Sequence, residues 1–229
     1  MTTEIKCICS MATRLALAEM VDAFQRRSDC RVIVESTGGV DAAKRVQAGE
    51  AFDVAILTSD AIDKLIGAGR VLPGGKMDLA RSGVAVAVRA GAPKPDISTE
   101  QAVRAAVRAA RSIGYSTGPS GVALAKLFER WGIADEIQSR LVRAPPGVPV
   151  GTLVARGEVD LGFQQLSELI YLEGITVLGP LPPAIQVITT FSAGVCSGTH
   201  HADAVRAMLD YMNTPDAAAA KRRQGMDPA

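Results

Sequence analysis

Short apolar segments alternate with amphipathic ones at the start of this chain, and this alternation restricts the fold more than any other feature of the sequence. Between the apolar segments, Leu17, Met20 and Phe24 recur at the spacing of one helical face, and Ala43 and Val46 mark a second helix. A strand–helix–strand–helix–strand order requires right-handed crossovers and a mostly parallel sheet. The predicted strands are Ile5–Cys9, Arg31–Glu35 and Asp53–Leu57.

The same rhythm of strands and helices returns in the second half of the chain. Apolar residues at helical spacing around Val107 and Leu127 predict helices, and each helix is followed or preceded by a short apolar segment. The chain is therefore predicted to be an α/β protein whose sheets are flanked by helices. The further predicted strands are Gly83–Val88, Ser112–Ser116, Val159–Gln165 and Ala184–Cys196.

Composition excludes several classes of protein. Of the 229 residues, 48% are apolar and 21% are charged, which is ordinary for a globular chain and excludes a disordered one. The net charge of +1 argues against a dedicated nucleic-acid-binding protein, whose binding face would be basic. No apolar run reaches the ~18 residues of a membrane helix, so membrane insertion is not expected.

Two stretches rich in serine, threonine and glycine connect a predicted strand to a predicted helix, at Ser36–Gly39 and Ser116–Gly121. The N-terminus of a helix carries unpaired N–H groups and about half a positive charge, so such residues attract anions there. Neither stretch matches the phosphate loop G-x-x-x-x-G-K-S/T or the dinucleotide motif G-x-G-x-x-G. Each alone is more typical of an ordinary helix cap than of a binding site, but their presence in both halves predicts a small anion bound by neutral donors.

The residues at the carboxyl ends of the predicted strands are the candidate ligand contacts, because parallel α/β sheets bind ligands beyond those ends. Arg81 is interpreted either as a bidentate partner of a ligand carboxylate or as a surface residue. The other candidates are uncharged, since helix N-termini supply the positive potential. The predicted ligand-binding residues are Ser10, Met11, Thr37, Gly38, Gly39, Thr58, Arg81, Ser116, Ser120, Gly121 and Gln165.

Residues suited to covalent or metal chemistry are sparse. The sequence contains no G-x-S-x-G, H-E-x-x-H or C-x-x-C motif, and we expect no metal and no cofactor. Glu35 is the carboxylate beside a candidate loop, and Glu35 and Cys9 are the candidate acid or base if the chain is an enzyme. The four cysteines are interpreted as small buried side chains, with a Cys7–Cys30 disulfide as the alternative.

The order of elements resembles the molybdate-binding family of solute-binding proteins that serve ABC importers. The residues that carry the resemblance are those of the first strand and helix, together with Ala43–Gly49, Asp53–Leu57 and Gly157–Gly162. The resemblance covers nearly the whole chain. It implies the type II periplasmic-binding-protein fold, in which two lobes each hold a mostly parallel sheet flanked by helices and the ligand lies in the cleft between them.

The resemblance also implies where the lobes begin and end. The first lobe is expected to comprise residues 1–82 and 191–229, and the second residues 83–190. The chain is expected to pass between the lobes through crossover strands near residues 81–89 and 184–196.

The family's ligand residues match this sequence only in part. The family binds a tetrahedral oxyanion through a serine just after the first strand, and this serine falls on Ala12, with Ser10 two places earlier. The family's serine run after the second strand becomes Thr37–Val40, and a late tyrosine falls at Gln165. These residues suit a planar or carboxylate-bearing organic anion at least as well as molybdate.

The pattern and the resemblance together predict a hinge-closing protein that binds a small organic or oxo-anion, with a carboxylate as the expected ligand. Aconitate isomerase is an enzyme on a similar scaffold, so the alternative is an isomerase that moves a proton within an unsaturated polycarboxylate. A sensing domain like those of LysR-type regulators and a molybdate importer subunit are further alternatives.

The first residues of the chain lack a basic segment followed by an apolar stretch and a cleavage site. We therefore expect a cytoplasmic protein, or a periplasmic one if a leader has been removed. The expected partner is the small anion, and an ABC permease is expected as a partner only for an exported protein.

Overall fold

The computed structural model describes residues 2–145 and 147–229. The strands are β1 (Thr3–Ser10), β2 (Cys30–Thr37), β3 (Val54–Thr58), β4 (Val71–Arg89), β5 (Ile113–Tyr115), β6 (Leu141–Arg143), β7 (Leu161–Gln165), β8 (Ile175–Pro180), β9 (Ile188–Cys196) and β10 (Asp227–Pro228). The helices are α1 (Arg14–Gln25), α2 (Gly39–Gln47), α3 (Ser59–Gly67), α4 (Glu100–Ala109), α5 (Pro119–Arg130), α6 (Ala134–Ile137), α7 (Val150–Ala155), α8 (Leu166–Leu169), α9 (Ala202–Met212) and α10 (Pro215–Arg223). None of the helices among these residues is both long and apolar enough to cross a membrane.

The chain divides into two compact units, and each contains a sheet flanked by helices. The first unit comprises the chain up to Ser82 together with Thr190–Ala229, and the second is Gly83–Thr189. Both boundaries fall inside strands, namely β4 and β9. The chain therefore passes between the units as extended backbone.

The sheet of the first unit has the order β2-β1-β3-β9-β4, with β10 paired to β4. The strands β1, β2 and β3 are parallel, as predicted, and β9 is antiparallel to β3. In the register of the parallel strands, Ser10 lies opposite Thr37 and Cys9 lies opposite both Ser36 and Ile56. The carboxyl ends of β1 and β2 are therefore level with each other.

Alternate residues of β1 enter two separate apolar clusters, one on each face of the first sheet. Cys7 and Cys9 pack with Met20 of α1 on one face, in a cluster that also includes residues of α9 and α10. Ile8 packs with Val46 of α2 on the other face. Burial of a large aliphatic side chain contributes ~1.5–3 kcal/mol, so this alternation fixes which face each residue of β1 occupies.

The sheet of the second unit has the order β4-β7-β5-β6, with β8 paired to β4. The strands β5 and β7 are parallel, with Tyr115 opposite Phe163, so their carboxyl ends lie at the same edge. The core contains Phe128 of α5, whose ring centroid lies 6.3 Å from that of Phe163 in an edge-on arrangement. Such pairs contribute ~0.5–1.5 kcal/mol beyond the area they bury.

Two strands differ by more than two residues at one end from the predicted bounds. The strand predicted at Gly83–Val88 begins at Val71, because the backbone continues as a strand through Gly74 and Gly75, which interrupt the apolar pattern. The strand predicted from Ala184 begins at Ile188 instead. A 3-10 turn at Pro183–Ile185 precedes it, since proline lacks the N–H that a strand ladder needs.

All four cysteines are free thiols. Cys30 lies opposite Thr3 in the β1–β2 register, four positions from Cys7. Four positions along a strand correspond to about 13 Å, which is too far for a disulfide between Cys7 and Cys30. The interpretation of the cysteines as buried side chains is confirmed for Cys7, Cys9 and Cys196 but is wrong for Cys30, which is only half-buried at the start of β2.

A lysine is buried among the helices of the first unit. Lys221 in α10 is 1% exposed, and its Nζ donates to Oδ1 of Asn213 at 3.2 Å. Burial lowers the pKa of Lys221 from 10.5 to about 8. The folded state therefore holds this proton less tightly than the unfolded chain does.

The replacement of Gly194 in β9 by alanine is expected to destabilise the first unit. The new Cβ would lie 2.9 Å from Cγ1 of Val71 and 3.1 Å from Cγ2 of Ile62, and both neighbours are β-branched and stiff. We expect a loss of about 1–3 kcal/mol in the free energy of unfolding, measured by urea denaturation. The matched control is Gly67→Ala at the end of α3, where nothing lies within 4 Å of the new Cβ. This control should gain about 0.4–1 kcal/mol, and equal losses in both variants would contradict the packing argument.

The stability of the protein is expected to rise with pH in the range where Lys221 titrates. Below pH 8 the lysine is charged in both states, and the folded state carries the burial penalty; between pH 8 and 10.5 mainly the unfolded state binds the proton. Lys221→Met should therefore stabilise the protein at about pH 7 more than at about pH 10, by at most about 3 kcal/mol in the difference. Urea denaturation of both proteins at both pH values measures this difference, and a pH-independent gain would refute the assignment.

Candidate functional site

We call the carboxyl ends of β1, β2 and β3, with the helix starts that follow them, the first half-site. It contains Ser10, Thr37–Gly39 and Thr58. The helix α2 begins at Gly39 with Gly38 as its cap residue, and α3 begins directly after Thr58. Neither cap residue makes a side-chain hydrogen bond to its helix. The N–H groups of both first turns are therefore left to other acceptors.

Ser10 is the most enclosed member of this half-site. It is 5% exposed, and its Oγ has no hydrogen-bond partner among the described residues. Its backbone oxygen accepts a hydrogen bond from Oγ1 of Thr13 at 3.0 Å. A Cβ on Gly39 would lie 3.4 Å from Cβ of Ser10, so the start of α2 packs directly against the serine. The structure thus brings Ser10, Thr37 and Gly39 together.

The other predicted residues of the first unit have different surroundings. Met11 lies in the 3-10 turn after β1, and Thr58 lies opposite Phe191 at the end of β3; both side chains are half-buried. Arg81 is exposed and lies opposite Asp227 in the pairing of β4 with the C-terminal strand β10. The pairing therefore places Arg81 beside the C-terminal strand, whereas Ser10 and Thr37 end strands of the parallel part of the sheet.

The second half-site lies at the carboxyl ends of β5 and β7 and contains Ser116, Ser120, Gly121 and Gln165. The hydroxyl oxygens of Ser116 and Ser120 lie 3.1 Å apart. A Cβ on Gly121 would lie 1.8 Å from the backbone oxygen of Ser116, so only glycine lets the start of α5 contact the preceding loop. As in the first half-site, a Ser-Thr-Gly sequence ends with the glycine as the helix cap, here Gly118.

Gln165 ends β7 and is 4% exposed. Its Nε2 donates to Oγ1 of Thr189 at 2.7 Å, and its Oε1 has no partner among the described residues. The neighbouring Gln164 accepts a hydrogen bond from the backbone N–H of Gly151 at 3.1 Å, at the start of α7. Two partners were not predicted from the sequence, namely Thr13, which contacts Ser10, and Thr189, which contacts Gln165. The only signal for Thr189 was its polarity within the apolar stretch 184–196.

The two candidate acid or base residues lie on opposite faces of the first sheet. Cys9 belongs to the cluster that contains α1, and burial raises the pKa of its thiol, although hydrogen bonds with Ser36 and Thr13 oppose this shift. Glu35 lies on the α2 side, where its carboxylate accepts from Arg45 at 2.8 Å. Arg45 also pairs with Glu50. The structure does not bring Cys9 and Glu35 together.

Other features of the structure lie apart from the predicted residues. Within residues 2–145 and 147–229, no group of three or more His, Cys, Asp or Glu side chains could hold a metal ion. A groove of about 590 Å³ in the second unit is lined by Lys94–Ser98 and Thr176–Pro183, and none of the predicted ligand residues lines it. The chemistry that the half-sites offer is hydrogen bonding by hydroxyl, amide and N–H groups, an arrangement that suits an anion at a helix N-terminus.

Comparison with known proteins relates the whole chain to a family of binding proteins. Residues 5–227 match the family described as bacterial extracellular solute-binding protein. Aconitate isomerase from a Pseudomonas species is 41% identical over 185 residues, which are 80% of this chain and 70% of that protein.

Solved structures of anion-binding proteins share the fold. The periplasmic molybdate-binding protein of Azotobacter vinelandii has a TM-score of 0.80 at 23% identity, covering 97% of this chain and 98% of that one. The sulfate-binding protein SubI of Mycobacterium tuberculosis has a TM-score of 0.80 at 17% identity, covering 99% and 87%. At these identities the likeness establishes the fold alone, and the predicted type II periplasmic-binding-protein fold is confirmed.

Proposed function

Because the chain belongs to the bacterial extracellular solute-binding protein family, we propose that it binds a small organic carboxylate, with the hydroxyls and helix starts of the half-sites as donors. The observation that carries the proposal is the hydroxyl of Ser10, which is buried against the first turn of α2 and has no hydrogen-bond partner within the described part of the chain. A buried hydroxyl is unfavourable unless it is hydrogen-bonded, and an anion at that helix N-terminus would accept its hydrogen bond.

Apolar side chains next to the half-sites support an organic anion over an inorganic one. Val40 directly follows Gly39 and is 48% exposed, and Val122 directly follows Gly121 and is 49% exposed. Both lie in the first turn of a helix whose N-terminus belongs to a half-site. A ligand with a carbon skeleton would cover these valines while its carboxylates accept hydrogen bonds from the helix starts.

The similarity to aconitate isomerase favours one alternative, an isomerase that moves a proton within an unsaturated polycarboxylate. Such a reaction needs a positioned acid or base. The raised pKa of Cys9 keeps its thiol protonated at neutral pH, so Cys9 would act as an acid. Glu35 would act as a base only after it exchanges its ion pair with Arg45 for contact with the substrate.

Ligand binding is expected to raise the melting temperature of the protein. We would titrate citrate, trans-aconitate, molybdate, tungstate and sulfate by thermal shift and calorimetry, and we expect the carboxylates to bind more tightly. A ligand at 100 times its dissociation constant stabilises the folded state by about 2.7 kcal/mol. The variants Ser10→Ala, Thr37→Val and Ser120→Ala should each weaken carboxylate binding about tenfold, because each removes one hydrogen-bonding hydroxyl.

The matched control is Ser139→Ala, which removes an exposed hydroxyl from a 3-10 turn of the second unit and should leave binding unchanged. A wild-type protein that responds to molybdate and tungstate but to no carboxylate would contradict the carboxylate proposal. A protein that responds to no anion would contradict anion binding altogether.

Solvent exchange is expected to separate binding from catalysis. If the chain is an isomerase, incubation with trans-aconitate in D₂O should incorporate deuterium and form the cis isomer, both visible by NMR, because the reaction removes and returns a carbon-bound proton. Cys9→Ala and Glu35→Gln should then be compared with the wild type, with Glu129→Gln, an exposed carboxylate of α5, as the control. Binding of trans-aconitate without incorporation of deuterium would contradict the isomerase alternative and support binding as the function.

A further inference from the structure

In the side-chain amide of Gln165, the nitrogen has a hydrogen-bond partner among the described residues and the oxygen has none. Its Nε2 donates to Oγ1 of Thr189 at 2.7 Å, and its Oε1 is buried with no donor among the described residues. A carbonyl oxygen buried in this way is unfavourable, and almost all such oxygens in folded proteins have a partner. The second half-site therefore contains an acceptor that only a bound molecule or a rearranged neighbour could satisfy.

This acceptor is the opposite of what a fully deprotonated anion needs. The oxygens of a carboxylate, a sulfate or a molybdate ion only accept hydrogen bonds, so they are served by Ser116, Ser120 and the first turn of α5 and not by Oε1 of Gln165. An anion that also carries an O–H group would satisfy both kinds of protein group at once.

Resting on the proposed function, we propose that the ligand is a hydroxycarboxylate whose carbon-bound hydroxyl donates a hydrogen bond to Oε1 of Gln165. Thr189 is a positioning residue in this arrangement, because its Oγ1 holds Nε2 and thereby turns Oε1 toward the ligand. Gln165 and Thr189 then select for the hydroxyl of the ligand, while the serines and helix starts select for its carboxylates. Specificity of this kind is strong where a buried polar group would otherwise stay unpaired.

The reverse orientation of the amide gives a different result, and this makes the proposal testable. A threonine hydroxyl can donate as well as accept, so Thr189 could instead donate to Oε1 and leave the N–H groups of Nε2 for the ligand. In that orientation a ligand hydroxyl would accept from Nε2 instead of donating to Oε1, so a side chain at position 165 that accepts but has no N–H group would lose the preference for the hydroxyl.

The experiment compares ligands that differ by a single hydroxyl. Citrate and tricarballylate form one pair and malate and succinate the other, and calorimetry at neutral pH measures the dissociation constant of each. We expect the wild type to bind the hydroxylated member of a pair about tenfold more tightly. Gln165→Met, which is similar in size but offers only a weakly accepting thioether, should abolish that preference, so that both members of a pair bind with the same dissociation constant.

Two further variants keep the test decisive. Gln165→Glu retains an acceptor at this position, so it should weaken the binding of both members of a pair through charge repulsion while the preference ratio persists. Gln138→Met removes an exposed amide of the same unit and should change nothing.

Each outcome has a distinct meaning. Equal affinities within each pair in the wild type would overturn the hydroxyl inference and leave carboxylate binding intact. A preference that persists in Gln165→Met would overturn the assignment to Gln165. Absence of binding by all four acids would instead overturn the proposed carboxylate function.

Discussion

The register of β1 against β2 and β3 is the constraint on which the first half-site depends. Burial of Cys7 and Cys9 on one face and Ile8 on the other fixes which residues of β1 face each way. A slip of one residue would reverse every side chain of the strand and lose both clusters. Because that slip is excluded, Ser10 is held opposite Thr37 and against the start of α2. Core packing therefore positions a hydroxyl that itself contributes nothing to the core.

The second half-site reaches a similar arrangement through a different contact. There the start of α5 lies directly on the backbone of the preceding loop, since any side chain at Gly121 would overlap the oxygen of Ser116. In both units a Ser-Thr-Gly sequence turns the chain from a strand into a helix, and the glycine cap leaves the first turn without a side-chain acceptor. Small residues thus have two effects. They permit close packing, and they leave N–H groups unpaired where an anion could accept from them.

Local periodicity predicted the parallel strands β1–β3 and helix α1 because their burial follows from the alternation of neighbouring residues. It also predicted Ser10 and Gln165 as strand ends. The short strands β6 and β8 were not predicted, since each is specified by pairing with a distant strand and not by its own pattern. The same reason applies to side-chain partners: Thr189 lies 24 positions from Gln165, and nothing local to either residue indicates the hydrogen bond between them.

Charged side chains near the first half-site are engaged with one another. Glu35 and Glu50 share Arg45, and Asp41 in the first turn of α2 lies 3.8 Å from Lys44. An anion placed at this half-site would therefore be attracted by oriented N–H groups and hydroxyls, whose directions are fixed by the backbone. Groups of fixed direction discriminate by geometry and by the balance of donors and acceptors, whereas an arginine or lysine would attract any anion of sufficient charge. Within the half-sites, and among the described residues, Oγ of Ser10 and Oε1 of Gln165 are buried atoms without a hydrogen-bond partner, so they would contribute most to the choice of a ligand bound there.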